Sequence, residues 1–447
     1  MKETQLQIPL PGVPKAKQGR DVPPRWDWTE ASVWTERMVA TLERGIKGGK
    51  WYSLMDKVWK LENLQNAARQ VKANQGAAGV DGVSCEAYFK DSALRLQRLQ
   101  GRLRQGNYQP SPVKRVWIPK LGSKELRPLG IPTVESRIVE TAVRQVIEPI
   151  FEACFAEHSY GFRPGKGAKD ALRRVDQLLK AGNVWVVDAD LKAYFDTIPQ
   201  KPLMALVEER ISDRNLLELI WKMLKQGVME TAKEWQPTEQ GTPQGAVISP
   251  LLANLYLHPL DHWMARQGRQ MVRYADDFVI LCQSQAEAQA VLEQLRQWTA
   301  AAGLTLHPVK TRIVEASQKG GFDFLGYHFE RGHRWPRQKS KAKLREAIRQ
   351  KTGKSDPRPM SQIIADINRT LRGWFNYFQH SVANIFRAED SWVRNRLRAI
   401  LRKRHKGQGC ARGCDYQRWP IAYFAELGLF SLAKARAEAS QVRYRTH

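Results

Sequence analysis

Three acidic side chains and a few cations are the residues in this chain whose types and spacing could do chemistry. Met271–Cys282, MVRYADDFVILC, places two adjacent carboxylates, Asp276 and Asp277, between β-branched and aromatic flanks. Such flanks read as strands, with Ala275-Asp276-Asp277 as the tip of a hairpin. Adjacent carboxylates repel each other, and they rest at an apolar lip when a cation joins them. Mg²⁺ suits, since it takes one or two carboxylates, waters and substrate phosphates. Asp also favours turns for local reasons, so the pair alone reads as a solvated turn. Val184–Leu191, VWVVDADL, supplies the rest: an apolar strand that ends in Asp188 and Asp190. Strand period two puts both on one face, and parity leaves either available. Three carboxylates, one from the strand and two from the hairpin, can hold two metals about 3.5–4 Å apart, as in-line phosphoryl displacement requires. Lys120 and Arg127 fall on neighbouring strands of a short hairpin, where a point charge and a bidentate fork could grip a triphosphate. Lys310 could protonate a departing group.

The elements that must position these groups follow from pattern. Residues 108–135 read as short strands and turns, 136–156 and 168–180 as helices, and 202–224 as one further helix. Thr242-Pro243-Gln244-Gly245 is a Gly-flanked turn feeding a helix through Ile248–Leu257, suited to close approach of a ligand. The hairpin is followed by a helix over 285–301 and a strand around Lys310. Phe322–Phe329 alternates like one strand. Further upstream, residues 34–42 and 55–71 are helical, Asn74–Ser84 is a Gly-rich loop, and residues 1–25 form a Pro-rich tail.

Composition narrows the partners. The 447 residues carry 72 Lys+Arg against 45 Asp+Glu, a net charge of +27 that points to a polyanion. From 331 to 410 there are 21 Lys+Arg against 5 Asp+Glu, which is +16 of that excess. Ile364, Ile367, Leu371, Trp374, Phe375 and Phe378 recur at helix spacing as an apolar stripe. A second helix, 390–403, holds Trp392, Leu397, Ile400 and Leu401 inside. Its Arg394, Arg396, Arg398 and Arg402 form a single-sign face expected to bind phosphate backbone. No apolar run spans a bilayer and no signal segment opens the chain, so no membrane partner is expected. Five scattered cysteines make no disulfide framework, and a reducing compartment, the bacterial cytoplasm, is expected. Cys410 and Cys414, with His405 nearby, form one loose pair and read as free thiols.

From Gln75 to Tyr423 these motifs resemble the reverse transcriptases encoded by bacterial group II introns, the intron maturases. Tyr274-Ala275-Asp276-Asp277 matches the family's YADD box, and Asp190–Asp196, DLKAYFD, resembles its first metal-binding motif. Arg127–Pro132, Ser159–Pro164 and Thr242–Gly245 are similar to its fingers and palm motifs. Phe324-Leu325-Gly326-Tyr327 resembles the primer grip, and Leu371–Phe378, LRGWFNYF, the maturase or thumb domain. Asn74–Ser84 matches the extension that precedes the fingers.

The resemblance implies an α+β right-hand polymerase fold of fingers and palm with an α-helical thumb. The implied division is 1–50 for the tail and first helix, 51–335 for fingers and palm, 336–410 for the thumb/maturase domain and 411–447 for a helical tail. It selects Asp190 over Asp188 and makes Asp190, Asp276 and Asp277 the ligands of two Mg²⁺ ions, with Mn²⁺ as a substitute and the Leu191 carbonyl as a further oxygen. Phe195 falls where a bulky ring meets the sugar and favours dNTPs; Gln244 falls near the incoming nucleotide. The implied function is RNA-directed DNA synthesis: binding group II intron RNA, assisting splicing, and copying the intron into a DNA target from a DNA primer during retrohoming. Many relatives end in a DNA-binding and zinc-bearing endonuclease domain. This chain stops at 447 with one cysteine pair, so the compact, endonuclease-less subclass is expected. Two other readings are a maturase that acts chiefly by binding RNA and a host-domesticated reverse transcriptase in defence or repair. Intact Asp190, Asp276 and Asp277 favour polymerisation.

Overall fold

A computed structural model of the protein describes residues 22–119, 126–231, 234–407 and 413–445. Lys120, Cys410 and the tail up to residue 21 lie outside the described residues. The chain forms two compact units. One holds the chain up to Leu178 together with Val187–Ile313; the other holds Leu179–Val186 and everything from Val314.

Three sheets organise the strands. The first runs β2-β1-β4-β5, from β1 (Val113–Pro119), β2 (Leu126–Ile131), β4 (Val228–Thr231) and β5 (Glu234–Gln236). The second runs β6-β7-β3-β8, from β3 (Trp185–Asp190), β6 (Gln270–Tyr274), β7 (Asp277–Cys282) and β8 (Arg312–Glu315). The third runs β11-β10-β9, from β9 (Phe322–Phe324), β10 (Tyr327–Glu330) and β11 (His333–Pro336). β1 and β2 pair antiparallel with Ile118 opposite Arg127. β6 and β7 pair antiparallel with Tyr274 opposite Asp277.

Two long helices form the floor of the first unit. Val134–Glu152 buries residues on nearly every side, including Glu140 and Gln145. It starts at Thr133, whose hydroxyl accepts the Ser136 N–H at 3.1 Å, a side-chain N-cap. Ser249–Arg266 is buried along most of its length, its polar Asn254 and Asp261 included, and a proline in its first turn, Pro250, occupies a position where no N–H is needed.

Several segments depart from their sequence pattern. The helix expected over 202–224 is two, Gln200–Glu208 and Arg214–Lys225. Asp213 breaks it: its Oδ1 accepts the Leu216 N–H, and its Oδ2 accepts those of Leu54 and Met55 at 2.7 and 2.8 Å. The helix expected over 55–71 is likewise broken, into Met55–Val58 and Leu61–Asn74. The Phe322–Phe329 strand is a hairpin, because Leu325 and Gly326 both take positive φ (46° and 84°) and reverse the chain. Lys310 precedes β8 rather than lying in it.

In the second unit Met360–Phe378 buries Ile363, Ile364, Ile367, Leu371, Phe375 and Phe378 as one stripe, and Ala383–Arg404 packs Phe386, Val393, Leu397, Ile400 and Leu401 against it. The basic face expected on the second of these helices is partly structural, and for buried Arg398 the assignment to RNA is corrected. Arg398 is buried, donates to the Trp419 carbonyl at 3.0 Å and stacks over Tyr416 and Phe424. Arg396 donates to the Thr352 carbonyl at 2.7 Å, and Arg402 is ion-paired with buried Asp415 at 2.6 Å. Arg394 alone of the four has no partner among the described residues. Trp419 and Asp415, which claim two of these arginines, lie on later segments, so helix periodicity could not foresee the contacts.

Candidate active site

The β6–β7 hairpin closes with Ala275-Asp276 as a two-residue tip, since Asp277 already belongs to β7. Ala275 takes φ 58°, the left-handed conformation that the first loop position of a tight hairpin favours. Gly161 lies against it: a Cβ there would come 2.3 Å from the Ala275 nitrogen, so the Ser159–Pro164 motif needs glycine at this point. The loop carrying Gly161 is fixed by Arg163, fully engaged with buried Glu152 and with the Ala156 and Ser159 carbonyls.

Asp276 is driven above the usual carboxylate range, first by burial and then by the negative charge of Asp190, against its own backbone hydrogen bond and the cations Arg127 and Lys310. Those four side chains therefore share one electrostatic site. Asp190, at the end of β3, carries the Lys310 ammonium on its Oδ2, and its carbonyl accepts the His307 N–H at 2.7 Å. Leu191 bridges Leu306, and Lys192 donates to the Thr305 carbonyl, so the segment before β8 clamps the end of β3 and delivers Lys310. Asp188 pairs with Arg312 at 3.3 Å.

The donor chemistry fits a hard divalent ion. Two like charges raise each other's cost, and an ammonium already rests where a cation is favoured. Among the described residues no three His, Cys, Asp or Glu side chains form a cluster that could hold a metal ion. Cys414 is a free, exposed thiol, and no zinc set forms around it among the described residues.

A second constellation borders the first. Arg127 Nε donates to Gln244 Oε1 at 3.2 Å, and Gln244 Nε2 donates to Asp196 Oδ2 at 2.7 Å. The Gln244 loop docks on the edge of β2: Gly130 N–H donates to the Gln244 carbonyl at 2.6 Å, and Gly245 at φ 107° lies so close that a Cβ would be 2.2 Å from the Gly130 oxygen. The Thr242 N–H donates to the Phe195 carbonyl at 2.7 Å, tying the same loop to the turn after β3. Phe195 is half-buried and edge-on to Tyr194, whose hydroxyl donates to the Ala253 carbonyl at 2.6 Å. Asp196 is not singled out by the sequence pattern, and only its contact with Gln244 joins it to this constellation.

In the second unit the expected primer-grip residues divide. Phe324 and Tyr327 are fully buried, 0% and 1% exposed, so their side chains cannot touch a primer, which corrects that assignment. Leu325 and Gly326 form the half-buried hairpin tip, whose carbonyls accept from the Tyr377 hydroxyl at 2.8 Å and the Ser340 hydroxyl at 2.9 Å. No helix among the described residues is long and apolar enough to cross a membrane.

Residues 118–329 match the family model for reverse transcriptase (RNA-dependent DNA polymerase), and residues 338–419 match the group II intron maturase-specific domain. The chain is 36% identical to protein YkfC of Escherichia coli over 311 residues, 60% of this chain and 81% of that protein. It is 38% identical to the group II intron-encoded protein LtrA of Lactococcus lactis over 200 residues, 44% of this chain and 33% of LtrA, so it spans about a third of that relative's length. A solved Cas6-RT-Cas1–Cas2 complex aligns at 24% identity and TM-score 0.36 over 56% of this chain and 42% of that one, a likeness on which nothing further rests. Reverse transcriptase domains work with divalent metal ions, typically Mg²⁺, and a maturase domain implies intron RNA binding. With a fingers-and-palm reverse transcriptase region, a helical maturase region after it, and this extent of identity to YkfC, the chain belongs to the family of RNA-directed DNA polymerases and maturases encoded by group II introns.

Proposed function

We propose that the protein binds its group II intron RNA, assists splicing, and copies that RNA into DNA from a DNA primer during retrohoming. One arrangement supports the polymerase chemistry above others: the Lys310 ammonium sits on Asp190, and the charges of both act on half-buried Asp276, although 86 positions separate the two carboxylates in the chain. Divalent ions held by Asp190, Asp276 and Asp277, with the Leu191 carbonyl as a further oxygen, would supply the charge that favours attack by the primer 3′-hydroxyl and departure of pyrophosphate. The remaining chemistry belongs to the chain. Arg127 keeps one nitrogen on Gln244, which leaves its outer nitrogens for a triphosphate; Lys120 would join it. Asp196 and Arg127 together fix the Gln244 amide, oxygen toward Arg127, so it meets the incoming dNTP in one orientation. Phe195 sets a ring where a ribose 2′-hydroxyl would clash. Lys310, held on Asp190, would give a proton to the leaving group.

The test is dNTP incorporation on a poly-rA/oligo-dT template. Asp276→Ala is expected to abolish incorporation while intron-RNA affinity stays unchanged. Synthesis retained in that variant would remove Asp276 from the chemistry.

A further inference from the structure

Among the described residues Arg273 is the largest charged side chain wholly removed from solvent, 0% exposed, in the strand that leads into the YADD turn. Its Nε and Nη2 face both oxygens of Asp261, itself 4% exposed, with Nε–Oδ1 at 2.7 Å. Its Nη1 donates twice more, to Asn254 Oδ1 at 2.9 Å and to the Ala275 carbonyl at 3.0 Å. Asn254 in turn donates to the Gly161 carbonyl at 2.7 Å, the glycine that packs on the Ala275 nitrogen. One guanidinium thus ties the helix Ser249–Arg266, the Ser159–Pro164 loop and the turn before Asp276.

A buried ion pair is weak evidence for stability, because well-packed apolar residues of similar volume do as well or better. What an apolar pair cannot do is hold the Ala275 carbonyl, and Ala275 is the left-handed residue on which the turn depends. Lysine cannot do it either: three donors on a point charge cannot serve two carboxylate oxygens, an amide and a carbonyl in one plane.

We infer that Arg273, oriented by Asp261 and Asn254, is a positioning residue that presents Asp276 to a divalent ion. This rests on the polymerase reading above. It goes beyond that reading in making metal affinity depend on a side chain that touches neither metal nor substrate.

The test measures Mn²⁺ binding to the full chain by electron paramagnetic resonance, alongside dNTP incorporation, melting temperature and intron-RNA affinity. Arg273→Lys is expected to weaken Mn²⁺ binding about 10-fold or more, the usual loss when a ligand's supporting partner is removed. kcat should fall with it, while the KM for dNTP and the RNA affinity stay within twofold. Arg273→Lys with a lower melting temperature but wild-type Mn²⁺ binding would make the network merely structural and overturn the inference. If that variant does not fold, Asn254→Ser, which keeps the ion pair, is expected to weaken Mn²⁺ binding in the same direction; unchanged binding there overturns the inference as well. A wild-type chain that binds Mn²⁺ but incorporates no dNTP would defeat the polymerase reading instead, whatever Arg273→Lys does to the metal.

Discussion

Glu140 is a carboxylic acid buried in the helix Val134–Glu152, and burial lifts its pKa from 4.5 to about 7 despite the N–H groups of Val247 and Ile248 that it accepts. Those amides lie just before the helix Ser249–Arg266, so Glu140 holds the end of the Gln244 loop from a distance in sequence. The folded pKa lies above the unfolded one, so the folded chain holds the proton more tightly. This contribution to stability is present in full below pH 4.5 and is lost as pH rises to about 7. His258 acts the opposite way: burial and neighbouring His262 lower it from 6.5 to about 4, so its contribution is present above 6.5 and lost as pH falls toward 4. The two slopes oppose each other through the acidic range. Glu140→Gln keeps an acceptor for Val247 and removes one slope. The variant is expected to gain stability relative to wild type as pH rises from 4.5 to 7, by about 3 kcal/mol for a shift of this size. Urea unfolding at several pH values checks it; a difference that does not vary with pH would show that Glu140 ionises freely.

Elements show which parts of the site were legible. The two carboxylate-bearing segments could be read because each is a strand whose side chains alternate and whose polar residues interrupt an apolar run. Glycines carried a second layer that spacing alone does not decode. Gly161, Gly130 and Gly245 are there because backbone meets backbone, and only the partner segment reveals it. Gly245→Ala would place a methyl against the Gly130 oxygen and hold an L residue at φ 107°, so the Gln244 loop must leave the edge of β2. Strain of this kind costs about 1–3 kcal/mol, which as lost nucleotide binding is about 5- to 150-fold. The KM for dNTP should rise within that range while far-ultraviolet circular dichroism stays unchanged. A wild-type KM would mean the loop takes no part in holding nucleotide. The Arg273–Asp261 pair was illegible for a related reason: twelve residues and a helix-to-strand turn separate them, and neither position departs from an ordinary pattern of charges.

At the scale of the whole molecule the excess of positive charge must be divided between holding the protein together and holding RNA. Residues 331–410 carry +16 of the +27, and their periodicity made the arginines of the helix Ala383–Arg404 look solvated. Three of those four are spent on Thr352, Trp419 and Asp415. Lys339 and Lys343, on the helix Gln338–Lys351, are exposed and have no ion-pair partner among the described residues. Charge that serves a phosphate backbone appears in the salt dependence of binding, at about 0.7 to 0.9 in slope for each phosphate neutralised. Charge that serves the core appears in stability. Replacing Lys339 and Lys343 together by Gln is therefore expected to flatten the plot of log affinity against log salt by about 1.4 to 1.8, with the melting temperature unchanged. Arg398→Ala should do the reverse. It strands the buried Trp419 carbonyl, costs about 1–3 kcal/mol of stability, and leaves the salt slope as in wild type. If instead Arg398→Ala flattens the slope while the two lysines do not, the partition is drawn the wrong way round, and the helix that packs the second unit is also the one that grips RNA.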